Sequence, residues 1–334
     1  MDNKSRLRSP KSSRLNYYRR IFSAYLGNSP SQLTFWHETP EVNADLQFDT
    51  LGPYYMTFAQ KANYADPLDS AGIPLLDYRG ALGKQYNPIA VAQYGLGNYN
   101  LYIRTGDPTR KTKFLNVAGW LVSSQRQNQA GQWMWMHNFD WDYRDTLQAP
   151  WYSGLAQGQG ISLLLRAHSE TGESSFMESA RRAFESFSVD VRSGGVLCTD
   201  KAGDRWFEEY IVFPETHILN GFIWASWGVF DYWLATRDER ANELFQGAVE
   251  TLRRRLASFD LGYWSRYEHS GTRLPMIASR FYHSLHIVQL RVMQKITGES
   301  FFGEVADRWE GYQRKRLNRM RAFAWKVLFK LYHY

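Results

Sequence analysis

The sequence predicts a mainly α protein, an (α/α) toroid of helical hairpins with β-hairpins at the mouth of its cleft. Three observations predict it: a short polar break that recurs four times, a change of residue character across each break, and two segments of strand-like alternation between the hairpins. The breaks are Thr105-Gly106-Asp107, Thr171-Gly172-Glu173, Thr236-Arg237-Asp238 and Thr297-Gly298-Glu299, with Thr-to-Thr intervals of 66, 65 and 61 residues. Each has the form of a helix stop followed by a start: glycine takes the left-handed conformation that ends a helix, and an acidic residue suits the next N-terminus.

The runs before the breaks (PIAVAQYGLGNYNLYIR, WYSGLAQGQGISLLLRAHSE, HILNGFIWASWGVFDYWLA and FYHSLHIVQLRVMQKI) mix small, polar and apolar residues and read as inner helices. The runs after them, such as ERANELFQGAVETLRRRL, carry charge on one face and read as an outer layer. Hairpin repeats of this length either extend as solenoids or close on themselves. Gln93, Gln157, Gln159, Asn220, Tyr282 and His286 all fall toward the N-terminal halves of the inner helices, which places a cleft at that end of a closed ring. The segments 131–144 and 194–213 alternate like strands and would form hairpins over the cleft mouth. The organisation expected is an N-terminal arm with mixed turns (1–80), the toroid (81–312) and a basic amphipathic C-terminal helix (313–334).

Composition narrows the partner. Of 334 residues 16% are aromatic, with 13 Trp and 21 Tyr, and such rings offer a flat apolar face beside a polar tip that suits a sugar. A net charge of +7 favours a polyanion. No zinc-finger spacing or ribonucleoprotein motif is present, so nucleic acid is excluded in favour of an acidic glycan or lipid. One cysteine, Cys198, gives neither a disulfide framework nor a metal cluster, which fits a reducing, cytoplasmic location. The basic N-terminus lacks the apolar run of a secretory signal, and no segment reads as a membrane span.

Several blocks in order carry a family resemblance: NPIAVAQYGLGNY (87–99), GWLVSSQ (119–125), PWYSGLAQGQGISLLLRA (150–167), WFEEY (206–210), LNGF (219–222), SRYEH (265–269) and SRFYHSLHIVQL (279–290). From about Asn87 to about Arg314 the chain resembles the C-terminal domain of the D-glucuronyl C5-epimerases, which convert glucuronate to iduronate in heparan-type chains. It resembles a short form. A large β-rich insertion of the animal enzymes is nearly absent, and Ser270 stands where the family motif has an arginine three residues after the tyrosine at 267. The resemblance implies catalytic roles for Glu209, Tyr210, Tyr267 and Tyr282, with Tyr86 as an approximate counterpart of a family tyrosine.

Such a reaction removes a proton alpha to a carboxylate, stabilises the enolate-like species and returns a proton to the opposite face, so two acid/base groups must flank the sugar. It needs no cofactor and no metal. Glu209 and Tyr282 are the expected opposed pair, with Tyr210 and Tyr267 in support. Glu208 and Glu209 adjoin in a strand, and alternation alone leaves the choice between them even; the resemblance favours Glu209. A phenol has an ordinary pKa of about 10 and acts as a base only where cations lower it. Arg266, Arg280, His283 and His286 are the local cations, with Arg280 first choice for the substrate carboxylate. Asn220, Gln157, Gln159 and Tyr152 are further substrate-contact candidates, although the glutamines also suit helix packing. The competing functions are a uronate polysaccharide lyase, which shares the enolate, and a non-catalytic glycan-binding protein.

The C-terminal run QRKRLNRMRAFAWKVLFKLYHY places Lys315, Arg319, Lys326 and Lys330 near one helical face and apolar residues over the rest. Such a helix could lie on an anionic membrane surface, or pack on its own domain or on the second subunit of a homodimer.

Overall fold

The computed structural model describes residues 35–333, without the side chains of the last four. Helices dominate it, in four hairpins. The inner helices are α1 (Pro88–Thr105), α3 (Gly154–Thr171), α5 (Leu219–Thr236) and α7 (Arg280–Thr297). Each is followed by an outer helix: α2 (Pro108–Ser124), α4 (Ser174–Glu185), α6 (Glu239–Arg255) and α8 (Ser300–Arg314). Inner helices pack in chain order, α1 on α3, α3 on α5 and α5 on α7, and each outer helix lies on its own inner partner. This is the (α/α) toroid expected. Three of the inner helices are buried all round for most of their length, as from Pro88 to Asn100 in α1 and Gly154 to Ala167 in α3, whereas α7 and the outer helices α4 and α6 keep an open face.

The four breaks share one capping device. Each threonine is the last residue of its inner helix, and its hydroxyl donates to the carbonyl four residues back at 2.7–2.8 Å. The same oxygen accepts from the backbone N–H of the acidic residue two positions on, at 3.2–3.3 Å. Between them the chain turns through the left-handed region at Gly106, Gly172, Arg237 and Gly298. Asp107 and Asp238 then cap the next helix with their side chains, while the longer Glu173 and Glu299 do not. The turn thus uses the Thr hydroxyl and a left-handed residue at all four breaks, and the acid side chain at two of them.

Two approaches fix how the inner helices cross. A Cβ at Gly228 would lie 2.2 Å from the Gly158 carbonyl oxygen, and one at Gly158 would lie 2.6 Å from the Ala225 Cα, so α3 and α5 touch backbone to backbone. Only glycine allows that contact.

The N-terminal segment is woven into the same core. Tyr54, Tyr55, Met56 and Phe58 are buried, with Tyr55 5.3 Å from Trp227 of α5. The segment plugs the C-terminal ends of the inner helices. Asn100 of α1 donates to the Met56 carbonyl (2.8 Å), Arg166 of α3 to the Gly52 carbonyl (2.8 Å), and the Tyr55 hydroxyl to Asp231 of α5 (2.6 Å). Arg166 and Asp231 form a fully buried ion pair at 2.7 Å, each satisfied by further hydrogen bonds.

Four two-stranded hairpins decorate the other end. They pair β1 (Leu76–Asp77) with β2 (Lys84–Gln85), β3 (Arg126–Gln127) with β4 (Trp133–Met134), β5 (Trp141–Asp142) with β6 (Thr146–Leu147), and β7 (Leu197–Thr199) with β8 (Arg205–Phe207). A final helix, α9 (Arg316–His333), docks one face on the domain through Ala322 and Trp325, beside Tyr263, Trp264, Ile277 and Ala278. Its other face leaves Leu317, Met320, Phe323, Val327 and Leu328 exposed. Among the described residues no helix is long and apolar enough to cross a membrane.

Candidate active site

With one end of the ring plugged, the open end is where the inner helices begin. A cleft of about 340 Å³ lies there. Its floor comes from the first turns of all four inner helices: Asn87, Ile89 and Gln93, then Leu155, then Asn220 and Trp224, then Tyr282 and Leu285. Helix N-termini carry partial positive charge, so the floor favours an anionic ligand. The walls are aromatic: Trp36, Phe139, Trp141, Tyr143, Trp151 and Phe281.

Glu209, Tyr210, Tyr267 and Tyr282 all line this cleft. Glu209 and Tyr210 follow β8 directly, Tyr267 is held by backbone bonds to Leu219 (3.1 Å) and Met276 (2.8 Å), and the Ser279 side chain caps the turn that carries Tyr282. The Tyr267 and Tyr282 rings meet edge to face at 4.8 Å. Glu209 is 5% exposed, and Asn220 donates to its Oε2 at 3.4 Å. Burial pushes its pKa up to about 8, against a hydrogen bond with Tyr210 that pulls it down; the neighbouring Glu208 adds to the rise. Burial and the Glu209 charge also raise Tyr210 and Tyr267 well above the ordinary phenol value. Both stay protonated at neutral pH.

Glu208 turns the other way. Its two oxygens are taken by His217, from the ring Nδ1 at 2.5 Å and the backbone N–H at 3.1 Å. Cys198 joins them: ligand atoms of Cys198, Glu208 and His217 lie within 4.8 Å of one another, a grouping the isolated cysteine gave no sign of in the sequence.

Several expected contact residues lie elsewhere. Arg280 is exposed at the start of α7 and does not line the cleft. Arg266 alternates with Tyr267 along the chain, which turns it away when Tyr267 faces in. His283 and His286 are buried beneath the site, where the Ser265 hydroxyl bridges both Nδ1 atoms (2.8 and 3.0 Å) and His283 stacks 3.9 Å from Trp264. Burial lowers both, His283 to about 4, so neither supplies positive charge. Gln157 is spent on structure, accepting from Trp135 N and donating to the Trp133 carbonyl, both at 3.0 Å. Gln159 sits behind the lining residue Gln93, accepting from it at 3.1 Å. Tyr86 is bound to Asp69 (2.7 Å) outside the cleft, and Tyr152 does not line it. Of these contact candidates only Asn220 faces in.

The lining cations are instead three residues that the sequence did not place at the cleft, although it set Lys326 on the basic face of the C-terminal helix. Lys61, Arg79 and Lys326 line the cleft, from the plugging segment, the β1–β2 turn and α9. Glu268, 4% exposed, was also unforeseen. It accepts a hydrogen bond from Tyr143, and burial raises it to about 7. Tyr143 in turn lies 4.5 Å from Tyr210. The Trp-rich alternation of 131–144 pointed to strands at the mouth, but its two strands, β4 and β5, pair outward with β3 and β6 rather than with each other as one hairpin.

The chain is 30% identical over 215 residues to the D-glucuronyl C5-epimerase of Caenorhabditis elegans, which covers 60% of this chain and 34% of that one. It is 27% identical over 179 residues to an uncharacterized protein of Methanocaldococcus jannaschii, over 53% of this chain and 56% of that one. The chain thus spans between about a third and somewhat over half of these relatives. Among solved structures, a family 105 glycoside hydrolase of C. acetobutylicum matches at 12% identity with a TM-score of 0.48, covering 68% of this chain and 63% of that one. The model of the D-glucuronyl C5-epimerase C-terminus matches residues 127–311, more than half of the sequence, and the chain belongs to that family.

Proposed function

We propose that the chain inverts C5 of hexuronic acid residues, of the D-glucuronate to L-iduronate type, within an acidic polysaccharide. One observation carries the reading: a buried carboxyl with raised proton affinity, Glu209, shares a cleft with three phenols in a chain of this family. In its ionised form Glu209 is a stronger base than an ordinary carboxylate and takes the C5 proton. The C–H electron pair moves into the substrate carboxylate as an enolate. A phenol, Tyr282 backed by Tyr267, returns a proton to the other face, and the pair collapses back onto C5. Tyr210 hydrogen-bonds Glu209 and holds it in place. The Trp and Tyr walls take the apolar faces of neighbouring sugars.

Incubating a glucuronate-containing polymer with the protein in deuterated water tests this. Deuterium at C5 without ultraviolet-absorbing unsaturated ends is expected, and Tyr282→Phe should lower incorporation at least ~100-fold, in the range that general acid–base groups contribute. Unsaturated ends would make the protein a lyase. Polymer binding with no exchange would make it a glycan-binding protein.

A further inference from the structure

Negative charge develops on the substrate carboxylate as C5 loses its proton, so a cation must stand beside it. Neither Arg280 nor Arg266 lines the cleft, and residue 270 is a serine. Three cations do. Lys61 is 4% exposed and engaged, donating to the Phe35 carbonyl at 2.5 Å and lying 3.8 Å from Glu38. Arg79 sits in a left-handed turn between β1 and β2, on the side of Asp77 and Tyr78.

Lys326 belongs to the Tyr282 side. Trp325, next to it, donates to the Pro275 carbonyl at 3.0 Å, and Lys326 Nζ reaches the Ile277 carbonyl at 3.4 Å. Ile277 and Ala322 belong to the small apolar cluster on which Tyr282 also leans. His37 ties the wall together: its ring is 5.2 Å from Phe281, and the charges of Lys61 and Lys326 help burial hold it neutral. The neutral imidazole adds no charge of its own, and Lys326 is the lining cation tied to Ile277, in the same cluster as Tyr282.

We propose that α9 supplies Lys326 as the group that holds the carboxylate of a uronate in the cleft, the role the sequence placed on Arg280. The inference rests on the uronate reading of the site. Because α9 begins beyond residue 311, this contribution lies outside the span matched by the family, and the C-terminal helix becomes part of the substrate site.

Isothermal titration with a hexasaccharide of alternating glucuronate and N-acetylglucosamine, and with its carboxyl-reduced counterpart, tests it. The intact protein should prefer the acidic probe. Lys326→Gln should lose that preference by about tenfold or more, equivalent to about 1.4 kcal/mol, with little change toward the reduced probe. Lys326→Arg should recover most of it, and Arg316→Gln, the same charge change at an exposed site on the same helix, should not alter it. Thermal unfolding checks the fold, and Lys326→Met, which keeps the alkyl stem, carries the same comparison if Lys326→Gln is unstable. A preference retained in Lys326→Gln or Lys326→Met overturns the assignment and leaves the uronate reading standing. An intact protein that binds both probes equally overturns the uronate reading, and the assignment with it.

Discussion

Glu209 owes its proton affinity to where the chain puts it, and that has consequences away from catalysis. Its folded pKa near 8 lies above the ordinary value of 4.5, so between those limits the folded state holds a proton that the unfolded state releases. Stability therefore falls as pH rises from about 4.5 to about 8. Glu268, raised to about 7, pulls in the same direction over a narrower window. Glu209→Gln should be more stable than the parent in denaturant unfolding, with the difference in unfolding free energy widening from pH 5 to pH 8 by an amount on the order of a few kcal/mol; a difference independent of pH would contradict the raised pKa. Gly221 offers a second test. A Cβ there would lie 2.2 Å from Glu209 Oε2, so Gly221→Ala must push the carboxylate aside while gaining up to ~1 kcal/mol of helix propensity. Activity should drop at least ~10-fold with the unfolding temperature maintained, a dissociation expected when positioning rather than folding is damaged. These residues were partly legible. The family pattern chose Glu209 over Glu208, which alternation could not, because the choice depends on His217 capturing Glu208. Arg280 misled because a residue at a helix start can face solvent as easily as the cleft, and period alone does not fix the helix rotation.

At the scale of elements, the breaks were legible because one turn geometry uses the Thr hydroxyl and a left-handed residue each time, with Asp107 and Asp238 adding side-chain caps. Arg237 is the exception that measures it. It takes the left-handed conformation, φ 56°, where the other three breaks use glycine. Arg237→Gly should stabilise the protein by up to ~1 kcal/mol in denaturant unfolding, the relief of left-handed strain less the entropy of glycine; destabilisation would mean that its stacking on Trp233, 4.6 Å away, outweighs the strain. Of the hairpin strands, only β4, β5, β7 and β8 lie in the two segments whose alternation predicted strands. What the sequence hid was where the expected C-terminal helix, α9, packs. Its mixed apolar and basic pattern fits a membrane surface and a packed helix equally well, and the fold uses it on two faces. The inner face packs Trp325 on the Trp264–Ile277 cluster and brings Lys326 to the cleft, while Leu317, Met320 and Phe323 stay exposed beside Arg316 and Arg319. That outer face is expected to bring the chain to anionic vesicles in flotation, and replacing Leu317, Phe323 and Leu328 with serine should abolish it.

The whole molecule works as a ring closed at one end. Residues 52–57 tie down Asn100, Arg166 and Asp231 at the C-terminal ends of three inner helices, and the cleft opens where all four begin. The sequence placed the cleft at the right end, because its polar residues cluster in the first turns of the inner helices. The plug was invisible, since 35–80 has no periodic pattern and its order comes from contacts far along the chain. This arrangement brings Glu209, Tyr210, Tyr267 and Tyr282 together in one cleft, with Lys61, Arg79 and Lys326 and the further carboxyl groups of Glu38, Glu41, Asp77 and Asp142 also in its lining. The rate of C5 deuterium incorporation into a glucuronate polymer, measured against pH, tests that account most directly. It should rise through an apparent pKa near 8 as Glu209 ionises, and fall by at least ~100-fold in Glu209→Gln. A flat profile, or exchange in Glu209→Gln at the parent rate, would contradict it.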